Sequence, residues 1–244
     1  MKDLIRAELL KLRTTRTVYW LLTAMLLLVA FAILSESSNS DEQYVVALDD
    51  QRFLLHASMM PWLFTLLLGV RAFTDEFRHG SIMPTLLTDP DRRRVLLAKV
   101  VAVAAWSVAF TAAAFALGLG IGLPRLASAH TDVVIVAAPL AAMFAKAALT
   151  AVLLATLGLG LGLAIRHQVA AIVAPLLWII VGENLIAGRW PDLAKYLLVG
   201  AANALAGIPN ELTLSPLGGG LALAGWTAAA IVAGAALMRR RDIA

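Results

Sequence analysis

Cysteine is absent from the 244 residues, which excludes disulfides, thiolate catalysis and cysteine-type zinc sites. Charge is scarce as well, at 15% against an apolar share of 61%, far from the balance of ordinary water-soluble domains. In water such a chain has nowhere to put its apolar surface. Lipid solvates that surface directly and leaves backbone hydrogen bonding as the main demand. Helices meet the demand internally, and the apolar runs are too long for barrel strands. Catalytic patterns are missing too. The four histidines, His56, His79, His130 and His167, fall on separate segments without the spacing that puts two imidazoles on one helix face. No serine occupies a nucleophile elbow, and no pair of membrane acids points to hydrolysis within the bilayer. The expectation is an all-α, polytopic membrane protein that is not an enzyme, with no catalytic, cofactor-binding or metal-binding residue of its own.

Six apolar runs stand out, at about 18–34, 53–73, 95–123, 133–165, 169–187 and 217–238, lengths suited to a hydrocarbon core of roughly 30 Å. They make residues 1–244 a single transmembrane domain of six spans. Tyr19 and Trp20 sit at the edge of the first run as interfacial anchors. That run reads as a span rather than a cleaved leader, because its small pair Ala30 and Ala32 lies inside it with Ile33 and Leu34 following.

The basic residues are unevenly divided. Fifteen of the twenty lie in the opening segment, around the connection between the second and third runs, at the turn holding Arg166, and in the tail. The first connecting loop holds five acids (Glu36, Asp41, Glu42, Asp49 and Asp50) and no base. The positive-inside rule then puts both termini in the cytoplasm of a protein of the cell membrane. On this reading the net charge of +4 reflects topology and contact with anionic lipid, with no role for nucleic acid.

Several stretches carry local signals. Gly118 with Gly122, and Gly158 with Gly162, are spaced i,i+4, which lets helix backbones approach closely in lipid. Their GxGxG pattern lacks the strand and the Lys-Ser or Lys-Thr of a nucleotide loop. Residues 2–16 form a moderately amphipathic helix suited to the headgroup layer. In the connection at 74–94, Thr74 is expected to cap a short helix with Asp75 and Glu76 in its first turn, and Gly80 to end it. Ile82, Met83, Leu86 and Leu87 then form a short apolar stripe, and Asp89 with Pro90 is expected to start the next helix. Such an elbow reads as a docking surface. Lys146 and Glu183, on the fourth and fifth runs, lie at similar depths on antiparallel helices, and an intramembrane pair is expected because each alone is costly in hydrocarbon.

The stretches "AELLKLRTTRTVYW", "DEFRHGSIMPTLLTDPDRRRVLLAK" and "MRRRDIA" resemble the ABC-2 type permeases, the membrane subunits of ATP-binding-cassette transporters, most of them bacterial exporters. The resemblance implies six spans, an N-terminal connecting helix, and a coupling helix that fits an ATPase subunit. It also implies short re-entrant external helices between spans five and six, here at 188–216. Glu76, Arg78 and Gly80 match the motif leading into the coupling helix, and Arg93 or Arg94 with Lys99 match the basic positions opening the third span. Ser81 stands where threonine is commoner. The chain has no Walker motif, so the resemblance assigns ATP and Mg to a partner ATPase dimer. It implies further a second permease chain, identical or related, and a substrate that is a hydrophobic or amphipathic compound: an antibiotic, drug, peptide or lipid. Two other classes compete with this one: an ion-gradient-driven secondary transporter using Lys146, Glu183 and His56, and a membrane assembly protein without transport.

Overall fold

A computed structural model of the protein describes residues 1–36, 61–80, 91–129, 137–208 and 214–240. All regular structure among them is helical. In chain order the helices are α1 (Lys2–Thr14), α2 (Arg16–Glu36), α3 (Pro61–Arg78), α4 (Arg92–Ala129), α5 (Ala137–Ile165) and α6 (Gln168–Leu177). A π-turn over Trp178–Gly182 leads into α7 (Glu183–Arg189), followed by α8 (Pro191–Ala194), α9 (Leu198–Ala206) and α10 (Pro216–Arg240). Among the described residues, five stretches are long and apolar enough to cross a membrane: Arg16–Ser35, Arg93–Gly122, Leu140–Ile165, Gln168–Arg189 and Pro216–Met238. Helix α3 differs because its last eight residues include Arg71, Asp75, Glu76 and Arg78.

Helix α3 is nevertheless the centre of the packing. Phe64 and Leu68 join Met25, Val29 and Phe110 of α2 and α4. Leu66 joins Leu154 and Leu157 of α5, Leu198 of α9 and Leu223 of α10. Phe73 packs with Val103, Leu159 and Met238. Three apolar clusters thus share one helix. Its approach to α5 is close enough to need glycine on both sides. A Cβ on Gly69 would collide with the carbonyl oxygen of Ala155, and one on Gly158 or Gly162 with the carbonyl oxygens of Leu66 or Val70. The i,i+4 pair Gly158 and Gly162 therefore faces α3. Gly160, on another side of α5, would meet the backbone of Ala230 in α10.

Two local expectations change. Thr74 starts no new helix: it lies fully buried inside α3, and its Oγ1 donates to the Val70 carbonyl at 3.1 Å. A threonine hydroxyl satisfied one turn back leaves the helix free to continue to Arg78. The cap of α4 is Asp91, whose carboxylate accepts from the Arg93 N–H at 3.0 Å, and α4 begins at Arg92, after the expected Asp89-Pro90 start. Gly80, with φ +65°, follows the end of α3 in a conformation that favours glycine. Helices α5 and α6 are joined by Arg166 and His167 alone, with Arg166 at φ 58° and His167 Nδ1 accepting from the Ala170 N–H at 3.3 Å.

Gly158→Val should destabilise the protein by about 1–3 kcal/mol through overpacking against Leu66. Gly120→Ala, where no atom lies within 4 Å of the added methyl, should be neutral or slightly stabilising. Thermal unfolding of the detergent-solubilised protein measures both. Equal melting temperatures for the two variants would contradict the close α3–α5 approach.

Candidate functional site

The end of α3 that leads into residues 81–90 is held by charge on one face and by a polar chain on another. On the first face, Lys99 of α4 is about 1% exposed, and Glu8 of α1 and Glu76 of α3 are buried with it. Lys99 Nζ lies 2.8 Å from Glu8 Oε2 and 2.7 Å from Glu76 Oε1. Lys11 Nζ closes the ring, 2.7 Å from Glu8 Oε1 and 2.9 Å from Glu76 Oε1. Lys99 Nζ also donates to the Ala72 carbonyl at 3.3 Å and lies 5.2 Å from the Phe73 ring centre. Two lysines and two glutamates cancel, which is what allows Glu8, Glu76 and Lys99 to be buried while Lys11 stays at the exposed edge. A cleft of about 240 Å³ opens beside them, walled on its other side by Val18, Leu21 and Leu68.

Helical spacing puts Arg71, Asp75 and Arg78 on a different face of α3. Arg71 pairs with Asp75 at 3.0 Å. Gln168, at the start of α6, donates to Asp75 Oδ1 at 2.9 Å and accepts from Arg78 Nη1 at 2.8 Å. Between the two faces, the Arg166 guanidinium lies 5.1 Å from the Phe77 ring centre. The last turns of α3 are thus tied to α1, α4, α6 and the α5–α6 turn. Such an arrangement suits the transmission of force. Separating Glu8, Glu76 or Lys99 from the others would leave a buried charge uncompensated, at a cost of several kcal/mol.

Of the residues singled out from sequence, Glu76 belongs to the ring, Arg78 to the Gln168 link, and Gly80 to the turn beyond. Ile82, Met83, Leu86 and Leu87 lie outside the described residues. Lys146 and Glu183 form no ion pair with each other. Glu183 accepts instead from the N–H groups of Leu198 and Val199, both at 2.9 Å, at the start of α9. Lys146 Nζ lies at the other end of α9, 3.3 Å from where a Cβ on Gly207 would stand. Each charge therefore meets the end of the helix dipole that suits it. The sequence reading missed Glu8 and Gln168. Glu8 had a signal: it falls three residues after Ile5 and four before Leu12, on the apolar side of α1, where a carboxylate needs a partner. Among the described residues no group of His, Asp or Glu is arranged to hold a metal.

Burial alone would push the Glu8 carboxyl up, but the charge of Lys99 and the hydrogen bonds from Lys11 and Lys99 outweigh it, and the group sits below its ordinary range. Burial alone would lower Lys11, but its bonds to Glu8 and Glu76 raise it above its ordinary range. The stability from Glu8 is complete above the ordinary carboxylate value of about 4 and is lost as pH falls through the lower folded value. That from Lys11 is complete below about 10.4 and is lost as pH rises through the higher folded value. Melting temperatures measured against pH should show a shallower acid-side fall in Glu8→Gln than in the natural chain. An identical fall would remove Glu8 from the ring. Lys99→Met, which leaves buried carboxylates short of a partner, should cost about 3–5 kcal/mol.

A family model described as ABC-2 family transporter protein matches residues 4–182. No curated protein matches the chain. The matched stretch runs from α1 to the end of the π-turn and contains Glu8, Lys11, Glu76 and Lys99. It spans well over half of the residues, including three of the five described stretches long and apolar enough to cross a membrane and most of a fourth, Gln168–Arg189. The protein is accordingly a multi-pass membrane protein that belongs to the ABC-2 family of transporters.

Proposed function

We propose that the chain is the permease subunit of an ATP-driven ABC exporter of the cell membrane. In this reading α3 completes a sixth span, both termini face the cytoplasm, and α8 and α9 are re-entrant on the outer side. A dimeric ATPase subunit binds ATP and Mg, and a second permease chain, identical or related, completes the transporter. The exported compound is hydrophobic or amphipathic, such as an antibiotic, drug, peptide or lipid.

The observation that carries the reading is the buried ring of Glu8, Lys11, Glu76 and Lys99. It fastens the helix entering residues 81–90 to α1 and α4, so that a push delivered at those residues moves three helices together. Ile82, Met83, Leu86 and Leu87 are the apolar stripe proposed to insert into the ATPase, with Glu76, Arg78 and Gly80 setting its direction. Glu183 and Lys146 belong to the opposite side.

Leu86→Asp tests the coupling, because a buried unpaired carboxylate in the partner's groove costs several kcal/mol. The variant should insert normally and lose co-purification with the ATPase or its substrate-stimulated turnover. Ser38→Asp, on the opposite side of the membrane in this reading, should change neither. Full coupling in the Leu86 variant, or transport by the purified chain alone on an ion gradient, would replace the ATP-coupled reading with secondary transport.

A further inference from the structure

Glu183 is about 6% exposed, and its burial depends on the π-turn before it. Ala171 and Pro175 mark the buried side of α6. Unbroken α-helix would turn Glu183 about 120° away from Ala171 and about 80° away from Pro175. The wider turn at Trp178–Gly182, closed by the Glu183 N–H to the Trp178 carbonyl, absorbs one residue and swings the carboxylate back inward. Gly182 makes room for it, since a Cβ there would lie 2.8 Å from the Trp178 ring. The carboxylate then holds the first turn of α9 through the N–H groups of Leu198 and Val199.

The side chain of Leu198 is also a wall of a cavity of about 390 Å³. Its other walls include Leu157, Leu161, Pro175, Trp178 and Trp226. The only polar atoms on these side chains are two indole N–H groups, and both are engaged: Trp226 donates to the Tyr196 carbonyl at 3.0 Å and Trp178 to the Glu183 carboxylate. Exposed Ala174 and Ala229 stand at the cavity's edge. A space of this size with no free hydrogen-bonding side chain on its walls accepts an alkyl chain or apolar ring and rejects polar groups, which would lose their water without replacement. One residue therefore joins the two features: the backbone of Leu198 is gripped by Glu183 while Leu198 also forms one wall of the cavity.

Resting on the permease reading above, we propose that this cavity holds the apolar part of the transported compound, and that α9 is its lid, latched by Glu183. The latch is a buried carboxylate on two amide N–H groups, strong enough to define a closed state and free of any covalent link that would prevent opening. Lys146, at the far end of α9, supports the same closed position.

The natural absence of cysteine makes the lid directly measurable. A single cysteine introduced by Leu198→Cys in the full chain, reconstituted in lipid nanodiscs, should react slowly with a small thiol reagent. Adding Glu183→Gln should raise that rate on the order of tenfold, the scale of losing a charge-assisted bond. Asn184→Ala, at the exposed neighbouring position, should leave it unchanged. For the ligand, a dodecyl diazirine is photoactivated in the same nanodiscs and its attachment sites are mapped by mass spectrometry. Labelling within 157–165, 174–179 and 226–230 should fall on the order of tenfold when Ala229→Phe fills the cavity. Labelling at the exposed Leu217 and Leu221 should persist. An unchanged cysteine rate in Glu183→Gln, with normal helical content, would overturn the latch. Labelling indifferent to Ala229→Phe would mean ordinary lipid contact only and overturn the ligand site. Either failure leaves association with an ATPase through residues 82–87 untouched, because that is read by co-purification alone.

Discussion

Lys99 is in contact with almost no solvent, and an ammonium in that position is tolerable only with opposite charge at hydrogen-bond distance. Glu8 and Glu76 provide it from two other helices, at 2.8 and 2.7 Å. The electrostatic demand of one side chain thus fixes α1, α3 and α4 against one another. Lys11, at the more exposed edge of the ring, balances the second carboxylate and leaves the group neutral. The direction in which α3 delivers the chain to residue 81 follows from this junction.

Away from the charges, backbone proximity does the work. Lipid gives helices little hydrophobic reason to associate, so close van der Waals packing over small residues has to supply it. Gly69 on α3 and Gly158 and Gly162 on α5 allow contact at the level of carbonyl oxygens, and Gly160 with Gly234 repeats this between α5 and α10. The stiff α3–α5–α10 unit so formed continues from the ionic ring to α9. Leu66 and Leu157 lie in the same apolar cluster as Leu198 and Leu205 of α9.

At the far end the same economy of charge takes another form. Glu183 and Lys146 do not neutralise each other directly; a nine-residue helix stands between them, with Glu183 at its amide end and Lys146 at its carbonyl end. The helix dipole thereby serves as the counter-ion for both. The position of this helix is set by these two ends together with Leu198, Ala201, Ala202 and Leu205, which pack into the cluster around Leu66 and Leu223.

Composition and the spacing of apolar runs were enough to read an all-helical membrane chain, because bilayer thickness and backbone hydrogen bonding act locally along the sequence. The glycine pair Gly158 and Gly162 was legible for the same reason: an i,i+4 spacing declares one face of one helix. The family was legible in the stretches around residues 7–20 and 75–99. Which face meets which neighbour was not. Depth in the bilayer gives one coordinate, so Lys146 and Glu183 were expected to meet, whereas the lateral placement of α9 between them depends on the whole bundle. Thr74 carries the chemistry of a cap, yet burial inside α3 turned its hydroxyl back to Val70. The role of Glu8 depends on Glu76 and Lys99, which are distant in the chain and brought to it only by folding. The sequence by itself determined that the chain folds as helices in lipid, while the tertiary structure alone decided the partners of its buried charges, because those partners are assembled by packing between helices rather than by spacing within one.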